Sequence, residues 1–258
     1  PDCLSELRKK MVTSLIRGKQ FYSNRLLGKY WRVILDGTGV ACFEERHCDN
    51  CLYEKRTYKD GRKVTVYYHK VLEAKLILGD KIVVSLGTEF IENERSDVSK
   101  QDCETKAAKR LLERIKKEYP RLPICIQGDA MYATEPMMEI CRLNGWKYIF
   151  SHKEAQQRVL ADNYNLLSLE DGKQKVQGIG AEKGTAIYCN GIGKMAGKTE
   201  IMNVYEYTCK KIIKKQEKTV HFQWITDIEL TRRNLEEMVR AGRGRWKIEN
   251  EGFNNQKN

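Results

Sequence analysis

Apolar runs separated by turn-forming residues predict strands in the first part of the chain. Residues 31–35 form an apolar run that predicts a short buried strand, ending in a glycine-containing turn at residues 36–38. After a polar loop at residues 44–63, further strands are predicted at residues 64–78 and 81–91. Because these three strands follow one another in the chain, we expect them to form an antiparallel meander.

Apolar residues recur with helical spacing in the next part of the chain and also near its start. Residues 4–28 have a helical period with one basic face, and residues 99–119 form an amphipathic pattern whose charges we expect to be a solvated face. Strand-like runs at residues 122–126 and 146–150 lie on either side of a helical pattern at residues 135–143. This alternation predicts a partly parallel sheet covered by helices, and hence an α/β fold.

The stretch 160–228 has a different pattern, in which glycines separate strand candidates. We interpret it as a β-rich insertion, with strands expected at residues 185–189, 202–209 and 220–225. Thr226 and Glu229 then have capping-box spacing, which predicts a long helix that runs towards the C-terminus.

The composition favours a folded, basic protein with a polyanionic partner. The chain has 258 residues, of which 41% are hydrophobic and 32% charged, so it is too apolar for a disordered chain. Lys and Arg number 47 against 35 Asp and Glu, giving a net charge of +12. Nucleic acid is the first candidate partner and an anionic membrane surface the second.

The sequence also indicates where in the cell the protein is located and in which state its cysteines are. No apolar run approaches the roughly 18 residues that span a bilayer, and no apolar leader is evident, so we expect a cytoplasmic protein. The nine cysteines are odd in number and scattered, which favours reduced thiols. The chain begins at Pro1 and stops at Asn258 without a helix-ending signal, so we expect both ends to be cuts through a longer protein.

Three acidic residues carry the candidate chemistry. Asp36 and Asp129 each follow an apolar run, a position where an aspartate is usually a turn former or helix cap. At 100° per residue, Glu249 falls inside the apolar sector of the final helix. A buried carboxylate must be protonated, paired or bound to a cation, and Arg245, four residues earlier, is the competing ion-pair partner.

If the three acids meet at the carboxyl ends of the strands, they form a metal site. Carboxylate oxygens suit Mg²⁺ or Mn²⁺ and not zinc. Two such ions about 3.5–4 Å apart would support an in-line phosphoryl transfer, with DNA as the substrate that a basic protein binds.

The segments around these acids resemble the DDE transposases of bacterial insertion sequences, which belong to the RNase H-like superfamily. The resemblance is carried by residues 33–38, 126–132 and 245–249, of which the last segment, Arg-Trp-Lys-Ile-Glu, is the most specific. It covers roughly residues 30–258 and includes the β-rich insertion before the glutamate helix, which cut-and-paste members share.

The resemblance implies a fold and an activity. The fold would be an RNase H-like mixed sheet flanked by helices, with the β-rich insertion before the last catalytic helix. Asp36, Asp129 and Glu249 would hold two Mg²⁺ ions, with Mn²⁺ as a substitute, for nicking transposon ends and strand transfer into target DNA. The partner would be double-stranded DNA, bound by a homodimer in the bacterial cytoplasm at the nucleoid.

These expectations divide the chain into four segments. They are an N-terminal helical segment at residues 1–29, the first part of the catalytic core at 30–159, the β-rich insertion at 160–228 and the C-terminal core helix at 229–258.

Basic residues near the final helix are candidate DNA contacts. The cluster from Arg240 to Lys247 could neutralise phosphates, as could a second cluster at residues 210–215 that also fits a solvated strand edge. By the resemblance, Arg245 would contact phosphate and Trp246 would pack the helix. The DNA contacts we predict are Arg243, Arg245, Lys247 and Lys257.

The chain departs from the related pattern at two positions. Gly242 stands where a tyrosine is common, and Gln256, next to Lys257, stands where a lysine is common. The phosphate contacts are therefore expected to be arranged differently. Trp224 is a candidate for stacking on an unpaired base, although core packing is the commoner fate of a strand tryptophan.

A second cluster has the residue types of a zinc site. Cys48 and Cys51 have the spacing of a zinc knuckle, and His47 and His69 could complete four nitrogen and sulfur ligands. The alternative is a turn that carries free cysteines.

Two other functions remain open from the sequence. The chain could be an RNase H-like metal-dependent nuclease without joining activity, or a domesticated DNA-binding protein without catalytic activity.

Overall fold

The structure is a computed structural model that describes residues 2–79, 82–96, 98–154, 158–170, 172–192, 202–213 and 216–246. Three residues predicted to act in the site, Lys247, Glu249 and Lys257, lie outside the described residues. The predictions made for them therefore stay predictions.

The described strands form a single mixed sheet. They are β1 (Trp31–Phe43), β2 (Leu52–Thr57), β3 (Lys63–Ile77), β4 (Val83–Ile91), β5 (Ile124–Gly128), β6 (Lys147–Ser151), β7 (Gln174–Ile179), β8 (Gly184–Ile192), β9 (Met202–Ile213) and β10 (Gln216–Thr226). The order across the sheet is β2-β3-β1-β5-β6-β10-β9-β8-β7, and β4 also pairs with β3. Strands β1, β5 and β6 are parallel, and the other pairings are antiparallel. The predicted mixed α/β architecture is confirmed at this level.

Helices cover both faces of the sheet. They are α1 (Asp2–Arg17), α2 (Glu104–Glu118), α3 (Glu135–Leu143), α4 (Arg158–Leu166) and α5 (Leu235–Arg243). Helices α2 and α3 contribute to the larger hydrophobic core, and α5 contributes to a second core with β8, β9 and β10. Helix α2 buries the predicted stripe Ala107, Ala108, Leu111, Leu112 and Ile115.

Strand β5 is central because both of its faces are covered. All five residues of the strand are buried, as expected of a parallel strand between two helical layers. Ile124 and Ile126 belong to the core beneath α2 and α3, whereas Cys125 belongs to the core beneath α5. Side chains of opposite parity on this strand therefore face different helices.

The turn predicted at residues 36–38 is wrong, because β1 continues through these residues. Asp36, Gly37 and Thr38 pair with Glu73, Leu72 and Val71 of β3, and the pairing extends to Phe43. The glycine that suggested a turn instead leaves room for a neighbouring side chain, as described below. Cross-strand pairing has overridden the local turn signal.

Two strands were not predicted, and the final helix begins later than expected. Strand β2 lies in the predicted polar loop, and β7 lies in the glycine-rich stretch. Thr226 is the last residue of β10, where its hydroxyl donates to the Tyr148 carbonyl oxygen and accepts from the Ile228 amide. The hydroxyl is thus used in a turn, and α5 starts at Leu235.

The region predicted as a β-rich insertion contains α4 followed by four strands. Strand β10 pairs with β6, so these strands extend the same sheet. The division of the chain into the four predicted segments stays a prediction.

All nine cysteines are free in this structure. Across the described residues, no helix combines the length and apolarity needed to cross a membrane.

Candidate functional site

Asp36 lies on β1, and Asp129 directly follows the neighbouring parallel strand β5. Strand β1 pairs in parallel with β5, and Ile34 is the partner of Gln127. Each aspartate lies two residues beyond this pair, and the charges of both act on the Tyr132 hydroxyl. The structure therefore brings together the two predicted acids that it describes.

Local hydrogen bonds orient both carboxylates. Asp129 caps a 3-10 helix at Ala130–Tyr132, where its Oδ1 accepts from the Met131 amide at 2.9 Å. The Oδ1 of Asp36 accepts from the Gly37 amide at 3.0 Å. Both aspartates are partly exposed, so a ligand from solution can reach them.

Glu104 is a third acid in this region, and the sequence analysis did not single it out. Its Oε1 accepts from the Lys70 ammonium at 2.7 Å, and its Oε2 accepts from the Tyr132 hydroxyl at 3.2 Å. A Cβ atom at Gly37 would lie 2.5 Å from the Glu104 carboxyl carbon. Gly37 is therefore required for the approach of Glu104 to β1.

The acids affect the ionisation of two neighbouring groups, Tyr132 and Lys70. Burial, followed by the charges of Glu104, Asp36 and Asp129, raises the pKa of the Tyr132 hydroxyl. Partial burial lowers the pKa of Lys70, but its hydrogen bond to Glu104 and the charges of Glu104 and Asp36 outweigh burial and raise it. Lys70 thus stays protonated beside the acids, and Tyr132 remains a neutral donor.

The charged residues at the start of α2 were expected to belong to a solvated face, and Glu104 is an exception. Its side chain is only 14% exposed. A glutamate in the first turn of a helix is ordinarily read as a charge that complements the helix dipole. Only the fold, which places α2 against β1, identifies its second role.

A fourth acid lies opposite Asp36 on the neighbouring strand. Glu73 is the cross-strand partner of Asp36 and is buried. Its carboxylate is 3.2 Å from the buried Lys75 ammonium and accepts from the Ser85 hydroxyl at 3.0 Å and from the Thr88 hydroxyl. These partners fix Glu73 as part of the framework behind Asp36.

Helix α5 ends close to the two aspartates. The buried Gln127 side chain on β5 donates to the Ala241 carbonyl oxygen at 2.8 Å, which docks the last turn of α5 over the strand. A 3-10 turn at Gly244–Trp246 follows, and an Arg245 guanidinium nitrogen lies 3.7 Å from Asp36 Oδ2. The described ion pair of Arg245 is thus with Asp36 rather than with the predicted alternative, Glu249, which lies outside the described residues.

The predicted DNA contact Arg243 has an intramolecular partner. Its two terminal nitrogens donate to the Glu182 carboxylate at 2.8 and 2.6 Å, and the guanidinium lies over the Tyr207 and Phe222 rings. The hydrogen bonds to Arg243 lower the pKa of Glu182 to about 2. A DNA contact by Arg243 stays a prediction, and it would compete with this pair.

Trp224 packs in the core and does not offer its ring to a base. It is 3% exposed and stacks on Tyr205 and Phe222, with ring centroids 5.0 and 5.7 Å away. A Cβ atom at Gly242 would lie 2.5 Å from the indole. Trp224 thus fills the space that a side chain at residue 242 would need.

The cysteine and histidine cluster assembles in part. The Sγ atoms of Cys48 and Cys51 are 3.6 Å apart, and the Nε2 atom of His69 lies 3.5 and 3.3 Å from them. The three residues form a group with metal-binding geometry. The fourth predicted ligand, His47, is not in this group, because its ring stacks on Tyr67 with centroids 4.4 Å apart.

Sequence comparison with known proteins assigns the chain to no family. No protein-family model matches the chain, and no curated protein has a significantly similar sequence.

Proposed function

We propose that the chain is a DNA transposase of the DDE type, which cleaves DNA at transposon ends and joins it to target DNA. The observation that carries the proposal is the placement of the two aspartates, since Asp36 on β1 and Asp129 directly after β5 each follow the parallel pair of Ile34 and Gln127 by two residues. Two partly exposed aspartates at this place offer hard oxygen ligands, which fit Mg²⁺ or Mn²⁺ and not a soft metal.

The architecture supports the same proposal. Strands β1, β3 and β4 are antiparallel and lead into the parallel strands β5 and β6, with helices on both faces. This mixed sheet is compatible with the RNase H-like fold that the sequence resemblance implies. Arg245 lies 3.7 Å from Asp36, and the third proposed acid, Glu249, follows four residues later in the sequence.

Each residue of the proposed site has a separate role. Asp36 and Asp129 would hold the metal, together with Glu249 as the third proposed ligand. Bound magnesium would neutralise the scissile phosphate and activate the attacking water or 3′-hydroxyl. Arg245, 3.7 Å from Asp36, is placed to bind a phosphate oxygen beside the acids. Lys70 and Glu104 position the β1 segment that carries Asp36.

The cleavage step is tested on a supercoiled plasmid that carries the coding sequence with its native flanking DNA. We expect nicking in Mg²⁺ or Mn²⁺ and none in EDTA. Asp36→Asn, Asp129→Asn and Glu249→Gln should each lower the rate by at least about a hundredfold, because metal ions supply several kcal/mol of transition-state stabilisation. The matched control is Asp162→Asn, which changes an exposed aspartate on α4.

The joining step separates transposition from simple cleavage. A labelled, pre-cleaved 3′ end of the flanking DNA should be transferred covalently to a target plasmid. Cleavage without transfer would indicate a metal-dependent nuclease. If DNA is bound with no cleavage by the wild-type chain, the catalytic proposal is wrong.

A further inference from the structure

Three ligands on separate parts of the chain form a cluster that the proposed DNA chemistry does not use. Cys48 and Cys51 lie in the turn before β2, and His69 lies on β3, where it pairs with Ala41 of β1. From this cluster we propose that the chain binds one zinc ion through Cys48, Cys51 and His69, independently of the magnesium site.

The distances match those of a tetrahedral zinc centre. With Zn–S near 2.3 Å and Zn–N near 2.0–2.1 Å, neighbouring ligand atoms should lie about 3.5–3.8 Å apart. The observed separations are 3.6 Å between the sulfurs and 3.5 and 3.3 Å from each sulfur to His69 Nε2. One ion can therefore contact all three atoms with only small adjustments.

The turn is shaped to present both sulfurs. The Cys51 amide donates to the Cys48 carbonyl oxygen at 3.2 Å, and the Cys48 amide donates to the Cys51 sulfur at 3.3 Å. The Cys48 amide can also donate to the Cys51 sulfur in its thiolate form, which is the form that binds metal. The chain thus supplies two sulfurs on one side of a closed turn.

Asn93 holds this turn in place from another part of the chain. Its side chain is 2% exposed and donates to the Cys51 carbonyl oxygen at 2.8 Å. The Asn50 side chain donates to the Asn93 carbonyl oxygen at 2.8 Å, and the Asn93 amide donates to the Asn50 carbonyl oxygen at 3.0 Å. The site is therefore preorganised, which reduces the entropy cost of binding.

The ligand types select zinc over the hard cations of the proposed active site. Two thiolates and an imidazole suit zinc, whereas Mg²⁺ requires oxygen ligands. Cys48 is exposed, so a water molecule can complete the tetrahedron. The ion would link the turn before β2 to β3, and it would so stabilise the part of the sheet where β3 pairs with β1 and β2.

Two alternative states of the cysteines make different predictions. Free thiols in a turn do not need an imidazole nitrogen within 3.5 Å of both sulfurs. A disulfide would need the sulfurs about 2.05 Å apart, and it would leave His69 without a ligand role. The proposal therefore requires all three residues together, and this requirement is testable without any activity assay.

The first experiment measures bound metal. The chain is expressed with zinc chloride, dialysed and analysed by plasma mass spectrometry, and about one zinc per chain is expected. Cys48→Ser is the main variant, because Cys48 is exposed and its replacement leaves the core intact. Cys48→Ser and His69→Ala should lose the zinc, whereas Cys42→Ser, which changes another exposed cysteine, and His47→Ala should retain it.

The second experiment reports on the ligands. Addition of cobalt chloride to the metal-free chain should produce a thiolate-to-cobalt charge-transfer band and the visible bands of a tetrahedral ion. Both should be absent in Cys48→Ser. Chelation of the metal should lower the Tm of the wild-type chain and of Cys42→Ser by several degrees, but not that of Cys48→Ser.

The proposal is overturned if the folded wild-type chain holds no zinc and gives no cobalt spectrum. Thiol titration of that metal-free chain then distinguishes the alternatives. Nine reactive thiols after denaturation would indicate free cysteines, and seven would indicate a disulfide. Retention of zinc by Cys48→Ser would also contradict the proposed ligand set.

Discussion

Two glycines lie where a neighbouring side chain occupies the space of a Cβ atom. At Gly37 the neighbour is the Glu104 carboxylate, and at Gly242 it is the Trp224 indole. The first contact places an acid next to β1, and the second sets how closely α5 approaches β10. The absence of a side chain at Gly37 thus shapes the polar surroundings of Asp36, and its absence at Gly242 shapes the docking of α5.

Replacement of Gly242 by alanine should destabilise the protein. Alanine has the higher helix propensity, by about 1 kcal/mol, but its Cβ would lie 2.5 Å from a buried ring that cannot move. We expect a net loss of roughly 1–2 kcal/mol in the free energy of unfolding, measured with urea. The control is Gly39→Ala on β1, where a Cβ meets nothing within 4 Å and no loss is expected.

The pair of Glu182 and Arg243 should make the stability depend on pH. The pKa of Glu182 is lowered from 4.5 to about 2 in the folded chain, chiefly by the hydrogen bonds from Arg243. Its stabilisation is therefore complete above the unfolded pKa and is lost as the pH falls from about 5 towards 2. Because the pair is partly exposed, the contribution is about 1 kcal/mol.

Urea unfolding at pH 7 and pH 3 checks this expectation. Glu182→Gln should be less stable than the wild type at pH 7, with a smaller difference at pH 3. Glu94→Gln, an exposed glutamate elsewhere in the chain, should follow the wild type at both values. If Glu182→Gln differs from the wild type by the same free energy of unfolding at both pH values, the pair does not cause the pH dependence of stability.

At the scale of elements, α5 is docked through hydrogen bonds to its carbonyl oxygens. Gln127 of β5 donates to Ala241, and the Tyr205 hydroxyl of β9 donates to Met238 at 3.1 Å. Ala241 is among the last four residues of α5, and its carbonyl oxygen also accepts from the Gly244 amide. The bond from Gln127 lies nearest the aspartates, so it has a positioning role as well as a stabilising one.

Gln127→Met should therefore separate activity from stability. The replacement removes the bond to Ala241, but it also removes the Gln127 Oε1 atom, a buried acceptor with no partner within the described part of the chain. The net change in unfolding free energy should be about 1 kcal/mol or less. The rate of DNA nicking should fall by about tenfold or more, because even a small displacement of a catalytic group lowers the rate by such a factor.

Tyr205→Phe is the matched control for this effect. It removes the hydrogen bond to the Met238 carbonyl oxygen of α5 at a similar cost of about 1 kcal/mol, but away from the aspartates. It should retain most of the nicking activity. Equal loss of nicking in the two variants would show that docking of the helix as a whole matters, and not its end beside Asp36.

The elements also show what the sequence can and cannot predict. Helix α3 has the predicted bounds, Glu135–Leu143, and the stripe of α2 is buried as its spacing indicates. The end of β1 was mispredicted, because a glycine has the same local signature whether it permits a turn or a close side-chain approach. Strand β2 is polar and exposed over most of its length, so it lacks the alternation that identifies a strand.

At the scale of the whole molecule, charge and topology give different kinds of information. The net charge of +12 indicates a polyanionic partner but does not place a binding surface. The sequence analysis identified Asp36 and Asp129 from the runs before them, and the parallel register explains why they meet. Glu104 and Glu73 could not be found this way, because Glu104 contacts Lys70, which is 34 positions away, and Glu73 contacts Ser85, which is 12 positions away.

The excess of basic residues should make DNA binding strongly dependent on salt. Release of counterions from neutralised phosphates lowers affinity as a power of the salt concentration. Between about 50 and 200 mM salt, we expect the Kd for a labelled duplex, measured by fluorescence anisotropy, to increase roughly a hundredfold or more. A Kd independent of salt, or no binding at the lower concentration, would contradict DNA as the partner.

The pairing of β6 with β10 has a mechanical consequence. Hydrogen bonds run without interruption from β5, which precedes Asp129, through β6 and β10 to the outer strands β9, β8 and β7. A macromolecule that binds the outer strands would therefore have a fixed orientation relative to the acids. If the chain cleaves DNA as proposed, a contact of the DNA with the outer strands would then set how the DNA is oriented relative to the acids.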